Sequence, residues 1–155
     1  MLSVHELQTY RDDGLVIPKD YRVPAQLLER LRDAVEAVIA SNPDTPQDQL
    51  FNLHLDRAPP FLNRGDSAFT DLVHNRALLD MVEQIIGLDI ILWATQLFCK
   101  QAIVGREVPW HQDSRYWAVR PLQTCTAWVA FDESNRTNGA LKFIPGSHMR
   151  GLYSH

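Results

Sequence analysis

The sequence lacks any hydrophobic run long enough to cross a membrane as a helix, which takes about 18 residues or more. Its first thirteen residues are polar and acidic, without the basic-then-apolar pattern of a signal peptide, so we expect none. No basic block is present and the formal net charge is -4, which argues against nucleic acid as a partner. We therefore expect a protein with neither membrane nor nucleic-acid partners.

Cysteine is also scarce, and Cys99 and Cys125 both lie in apolar runs. Such isolated cysteines are typical of small buried side chains in a reducing compartment, so we expect a cytoplasmic protein. The chain has 155 residues, of which 45% are hydrophobic and 22% charged, the usage of an ordinary globular domain. This length suits one domain spanning 1–155.

The first part of that domain, about residues 1–87, has the patterns of helices. Ser3-x-x-Glu6 is a capping box that predicts a short helix stopped by Gly14. Pro24 predicts the start of a second helix, running to about Ala40, and a third is expected over 76–86, ended by Gly87. The apolar residues at helical spacing are Leu27, Leu28, Leu31, Val35 and Val38 in the second helix and Leu78, Leu79, Val82, Ile85 and Ile86 in the third.

The remainder, about residues 88–155, predicts strands and turns. We expect strands over 90–100, 109–119, 124–131 and 140–144, in addition to a short one at 15–17. Residues 41–66 are rich in proline and predict a long irregular excursion. Helices followed by strands favour an α+β chain with a mainly β core, as in a sandwich or jelly roll.

The pair His111-x-Asp113 is the main candidate for chemistry. Residues i and i+2 of a strand point to one face, so an imidazole and a carboxylate here can converge on a metal ion. One more histidine would complete the 2-His-1-carboxylate site of non-haem iron(II) oxygenases. The spacing alone is not specific, because His54-x-Asp56 repeats it in the irregular excursion, where we interpret it as surface or packing residues.

The residues around this pair form a longer pattern. It comprises Pro109-Trp-His-Gln-Asp113, Tyr116-Trp117, Arg120-Pro121, Thr126-Ala-Trp-Val-Ala-Phe-Asp-Glu-Ser134, Asn138-Gly-Ala-Leu141 and Ile144-Pro-Gly-Ser-His148. Together these segments resemble the phytanoyl-CoA dioxygenase family. The preceding part matches more loosely, through Tyr10-Arg-Asp-Asp-Gly14 and Ile85-Ile-Gly87.

The resemblance implies a double-stranded β-helix, a cupin-like jelly roll, with the N-terminal helices packed around it. It further implies Fe(II) bound by His111 and Asp113, 2-oxoglutarate as cosubstrate and O₂ as oxidant. The expected reaction hydroxylates an unactivated C–H bond and releases succinate and CO₂. Related halogenating enzymes have a small residue at the carboxylate position, so Asp113 favours hydroxylation.

Five further residues are candidates around this site. Trp128 and Gln96 match family positions that line the cosubstrate pocket, and Lys100 shares the predicted strand face of Gln96. Tyr116 and Trp117 follow the metal pair and are candidates for the wall of the substrate space. The alternatives are a sheet-edge position for Gln96 and ordinary aromatic packing for Tyr116 and Trp117.

The third metal ligand is expected beyond the end of this sequence, so that the jelly roll would be incomplete. His148 and His155 are the only histidines after Asp113 and are weak substitutes, because the family pattern places His148 in a turn at the pocket rim. The arginine that binds the far carboxylate of 2-oxoglutarate is likewise not located. Its possible substitutes, none favoured, are Arg106, Arg115, Arg120 and Arg150.

Three functions remain open from the sequence. The first is a 2-oxoglutarate-dependent dioxygenase acting on a small molecule. The second is a non-catalytic, truncated homologue that binds or regulates, and the third is a cupin-type metalloenzyme independent of 2-oxoglutarate. An incomplete sheet exposes strand edges, so association into a homo-oligomer is also expected.

Overall fold

A computed structural model describes residues 1–55, 63–100, 103, 105, 107–117, 119–121 and 123–153. The helices are α1 (Val4–Asp13), α2 (Ala25–Ser41), α3 (Ser67–Val73) and α4 (Arg76–Ile86). Two short strands, β1 (Leu50–Phe51) and β2 (Gln96–Leu97), and two 3₁₀ turns at Asp113–Arg115 and Ser147–Arg150 complete the elements of the described residues. None of the described helices has the length and apolar character needed to span a membrane.

The chain contacts divide it into two compact units. The first unit is drawn from residues 1–21, 80–90 and 107 onward, and the second from 22–79 and 91–106. The chain therefore passes between the units several times. The prediction of one domain over 1–155 stays a prediction.

Helix α1 of the first unit begins and ends as predicted. Glu6 N–H donates to Ser3 Oγ, while the Glu6 carboxylate accepts from Ser3 N–H at 2.8 Å. Gly14 ends the helix with φ 81°, a left-handed conformation that glycine adopts without strain. In the same unit the Gln84 amide accepts from Leu2 N–H at 2.7 Å and donates to Leu2 C=O at 3.0 Å.

The second unit contains most of the buried core. Leu31, Ala34 and Val38 of α2 are buried, and α2 packs against α3. The predicted apolar face of α2 is thus confirmed in part, since Leu27, Leu28 and Val35 are only half-buried. Strands β1 and β2 pair antiparallel, with Phe51 opposite Gln96.

Helix α3 and strand β1 are absent from the sequence predictions. Asp66 is the N-cap of α3, because its carboxylate accepts from Ala68 N–H at 2.8 Å. The helix has only seven residues, which are too few to show a helical period in the sequence. The described parts of the excursion, 42–55 and 63–66, are irregular as expected, apart from β1. Met81, which the predicted face of α4 omitted, is the buried residue of that helix.

The strand predictions differ most from the structure. A ladder forms only at Gln96–Leu97 within 90–100, the segment 113–115 is a 3₁₀ turn rather than strand, and 15–17 has no strand. Residues 124–131 and 140–144 pair with no described strand. A strand needs a neighbour for its backbone groups, so an alternating sequence alone does not create one. The jelly roll therefore stays a prediction.

Candidate metal centre

His111 and Asp113 are close together in the first unit. Gln112 between them is extended, with φ -120° and ψ 121°, so its two neighbours project to the opposite side of the chain from its own side chain. His111 Nε2 lies 3.2 Å from Asp113 Oδ1. The expected convergence of the pair is present, although Asp113 begins a 3₁₀ turn instead of continuing a strand.

Each of these side chains has a second partner that orients it. His111 Nδ1 lies 2.8 Å from the carbonyl of Pro109, to which it donates, and this leaves Nε2 facing Asp113. Thr126 Oγ1 donates to Asp113 Oδ2 over a long 3.3 Å. Outer contacts of this type are usual around metal ligands, where they fix the histidine tautomer and the carboxylate orientation.

The geometry of the pair fits two neighbouring ligands of one metal ion. Donors that are each about 2.1 Å from a divalent ion and at right angles to each other are about 3 Å apart. The 3.2 Å that separates His111 Nε2 from Asp113 Oδ1 is close to this spacing. The two side chains are 37% and 47% exposed, which leaves the position open to ligands from solvent.

A third protein ligand is not assembled among the described residues, where no group of three metal-binding side chains is found. His148 instead donates from Nε2 to the Arg11 carbonyl at 2.9 Å, at the end of α1. His155 and Arg106 lie outside the described residues. Arg120 is held locally, donating to the carbonyl of Val119 at 2.7 Å.

The other candidate residues occupy different surroundings. The ring centroid of Tyr116 lies 6.4 Å from that of His111, and Trp128 of the same unit is 48% exposed. Trp117 is half-buried. Gln96 and Lys100 are exposed residues of the second unit, with Gln96 in β2. Their roles at a cosubstrate or substrate site stay predictions.

His54 of the second His-x-Asp pair makes packing and hydrogen-bond contacts within the second unit. His54 Nδ1 pairs with Thr95 Oγ1 at 2.9 Å, and the His54 carbonyl accepts from Thr70 Oγ1 at 2.7 Å. Burial, aided by the nearby His74, lowers the pKa of His54, which favours a neutral ring. These contacts agree with a packing role, while Asp56 lies outside the described residues.

Cys125 is a poor candidate for a nucleophile. Burial raises the pKa of its thiol, an effect only partly offset by a hydrogen bond with Tyr10. Burial and the contact with Cys125 raise the pKa of Tyr10 to about 12. Both groups are therefore neutral near pH 7, and Cys99 and Cys125 do not form a disulfide.

Sequence reasoning missed three contributors to the site: the Pro109 carbonyl, Thr126 and the Gln112 side chain. A backbone acceptor has no sequence signal. Thr126 lies thirteen residues from its partner Asp113, a separation that no local pattern encodes. Gln112 could have been suspected, because a polar residue on the opposite side of a strand from the ligands needs a partner of its own.

The family assignment follows from comparison with known proteins. The family model for phytanoyl-CoA dioxygenase (PhyH) matches residues 10–155. This chain belongs to the phytanoyl-CoA dioxygenase family. No solved structure matches it.

Several curated relatives are similar to this member of the family. An ectoine dioxygenase of Bordetella bronchiseptica is 26% identical over 95% of the chain and 50% of its own length. A probable phytanoyl-CoA dioxygenase of Caenorhabditis elegans is 25% identical over 100% of the chain and 55% of its own length. A phytanoyl-CoA dioxygenase domain-containing protein 1 homolog of Dictyostelium discoideum is 29% identical over 69% of the chain and 37% of its own length. The chain thus spans about half, or less, of these relatives.

Proposed function

We propose that this protein is an Fe(II)- and 2-oxoglutarate-dependent dioxygenase that hydroxylates an unactivated C–H bond of a small organic substrate. The observation that carries the proposal is the 3.2 Å approach of His111 Nε2 to Asp113 Oδ1 in a family member. Relatives that are named dioxygenases support the oxygenase chemistry.

Fe(II) with 2-oxoglutarate and O₂ would supply the oxidation, one oxygen atom going to the substrate and one to succinate as CO₂ leaves. The residues of this chain would orient the two metal-binding side chains. The Pro109 carbonyl keeps the Nδ1 proton of His111 occupied, so Nε2 is the nitrogen available to a cation. Thr126 holds one oxygen of Asp113 and leaves the other facing the histidine.

The third ligand is proposed to be a histidine from the part of the family that this chain does not span. The matched relatives are about twice as long, which leaves room for a further strand that carries this histidine. The same segment would complete the proposed double-stranded β-helix. His148 is the weaker choice, since its ring faces α1.

Other parts of the proposal rest on the sequence. Trp128, Gln96 and Lys100 are proposed for the cosubstrate pocket, and Tyr116, near the His111 ring, with Trp117 for the substrate wall. The substrate is proposed to be a small molecule, with neither nucleic acid nor membrane as partner. A cytoplasmic location is proposed because the two cysteines are half-buried and do not form a disulfide.

A second candidate function is a non-catalytic relative that binds 2-oxoglutarate or a similar acid. It is favoured by one observation, namely that two metal donors, not three, come together among the described residues. Formation of succinate by the purified chain would eliminate this alternative.

The test is an anaerobic titration of the chain with Fe(II) and 2-oxoglutarate, monitored by the visible charge-transfer band of the chelated complex. We expect the band in protein that includes the segment proposed to supply the third ligand, and its loss there in His111→Ala and Asp113→Ala. His54→Ala is the matched control, because it alters the other His-x-Asp pair and should keep the band. A folded protein without the band, or a band that survives His111→Ala, would refute the proposal.

A further inference from the structure

The amide of Gln112 is held at both ends by the backbone of a distant segment of the first unit. Gln112 Nε2 donates to the carbonyl of Gly151 at 3.0 Å. Tyr153 N–H donates to Gln112 Oε1 at 2.8 Å. One side chain thus makes the donor and acceptor pair that a neighbouring strand would make.

This clamp acts on the metal pair through the backbone. Gln112 is extended, so its side chain points away from His111 and Asp113, which project together on the other side. Fixing the amide of Gln112 therefore fixes the direction in which its two neighbours leave the chain. The pair itself is on a half-exposed segment that pairs with no strand among the described residues, so the clamp adds to the contacts of Pro109 and Thr126 with the pair.

The segment that receives the amide is itself fixed. Gly151 has φ 79° and ψ -169°, a conformation essentially restricted to glycine. It follows the 3₁₀ turn Ser147–Arg150, and this turn is attached to the end of α1. Gly146 N–H donates to the Asp13 carbonyl at 2.8 Å, and His148 donates to that of Arg11.

We propose that Gln112 is a positioning residue of the metal centre, and that residues 146–153 connect its amide to α1. The proposal rests on the proposed function, since it concerns the same His111 and Asp113. It assigns a role to the Gly146-Ser-His148 turn as well. His148 serves the centre by anchoring this connection, not by binding the metal.

Two substitutions separate hydrogen bonding from packing. Gln112→Met keeps the length of the side chain and loses both hydrogen bonds. Gln84→Met is the matched control, because Gln84 makes the same two-bond clamp on Leu2 instead of on the segment 146–153. The probe is Co(II) alone, whose visible spectrum responds to ligand geometry.

We expect Gln112→Met to weaken Co(II) binding by about tenfold to a hundredfold, the range for outer contacts of metal ligands, and to alter the Co(II) spectrum. Gln84→Met should lower stability and keep the wild-type Co(II) affinity. Gly151→Ala should resemble Gln112→Met, whereas Gly87→Ala, at φ 95° and equally free of steric contacts, should bind as wild type. Wild-type affinity in Gln112→Met would overturn the proposal.

A metal-free readout distinguishes this proposal from the proposed function. NMR order parameters of the His111 ring should fall in Gln112→Met and stay at the wild-type value in Gln84→Met. If wild-type protein binds no Co(II), the proposed function fails, and the clamp is judged by the ring alone. Unchanged order in Gln112→Met would then overturn the positioning role.

Discussion

Glu6 is a buried residue whose carboxylate completes the N-terminal capping box of α1 and also joins α1 to the following loop. Its Oε1 accepts from Lys19 N–H at 2.9 Å, and its Oε2 accepts from the backbone and hydroxyl of Ser3. These donors, led by Lys19 N–H, lower the pKa of Glu6 from 4.5 to about 2. The charged form of Glu6 is thus favoured by folding.

Stability should therefore depend on the charge of Glu6. Between about pH 4.5 and 2 the unfolded chain binds the proton that the folded one lacks, so this contribution is present above pH 4.5 and lost towards pH 2. We expect Glu6→Gln to be less stable than wild type at pH 6, with the gap closing as pH falls. Urea unfolding across this pH range measures the difference in the free energy of unfolding. A difference that stays constant with pH would contradict the prediction.

Gly14 and His148 are in close contact at the end of α1. Gly14 has φ 81°, and a Cβ there would lie 2.5 Å from His148 Nδ1, so the imidazole would have to leave the Arg11 carbonyl. We expect Gly14→Ala to cost about 1–2 kcal/mol for its backbone and about 1 kcal/mol for the lost hydrogen bond. In a His148→Ala background the second part should vanish, and an undiminished cost would contradict the contact.

Helix α2 contributes the best-packed residue of the second unit. Leu31 is 0% exposed, so Leu31→Ala should leave a cavity and destabilise by about 2–5 kcal/mol. Leu88→Ala is the matched control: this leucine is 82% exposed and should change stability by less than about 0.5 kcal/mol. Chemical denaturation measures the loss of stability in both variants. Equal losses would contradict the buried position of Leu31.

Some elements depend on residues close by in the sequence and others on residues far away. Helices α1, α2 and α4 were predictable because the capping box of Ser3, Pro24 and the glycine stops act within a few residues. Helix α3 depends on the short-range Asp66 cap but has too few residues to show a period. The strands depend on partners far along the chain, so the segments near Trp128 and Leu141 could not be assigned from their own residues.

The candidate site shows the same division. The approach of His111 and Asp113 was predictable as a possibility, since side chains two residues apart point to one side of an extended chain and can converge. The contacts of Thr126 with Asp113 and of Gly151 with Gln112 span 13 and 39 residues, and depend on the tertiary structure. Whether Gln96 and Lys100 serve the same site stays a prediction.

At the scale of the whole molecule, large apolar side chains from 88–153 are exposed. They include Ile91 at 88%, Leu141 at 60%, Ile144 at 54% and Trp128 at 48%. Such surfaces favour association, so we expect the isolated chain to form dimers or larger species. Sedimentation velocity over a range of concentrations measures this, and a monomer at every concentration would contradict it.

The buried hydrophobic side chains among the described residues all lie between Leu2 and Met81. The heat capacity of unfolding grows with the apolar surface newly exposed to water, at about 12–15 cal/mol/K per residue in a fully packed domain. With the later half contributing little burial, the chain should fall well below that range in calorimetry. Its free energy of unfolding should then vary weakly with temperature, so that the stability curve has a broader and flatter maximum than that of an ordinary domain.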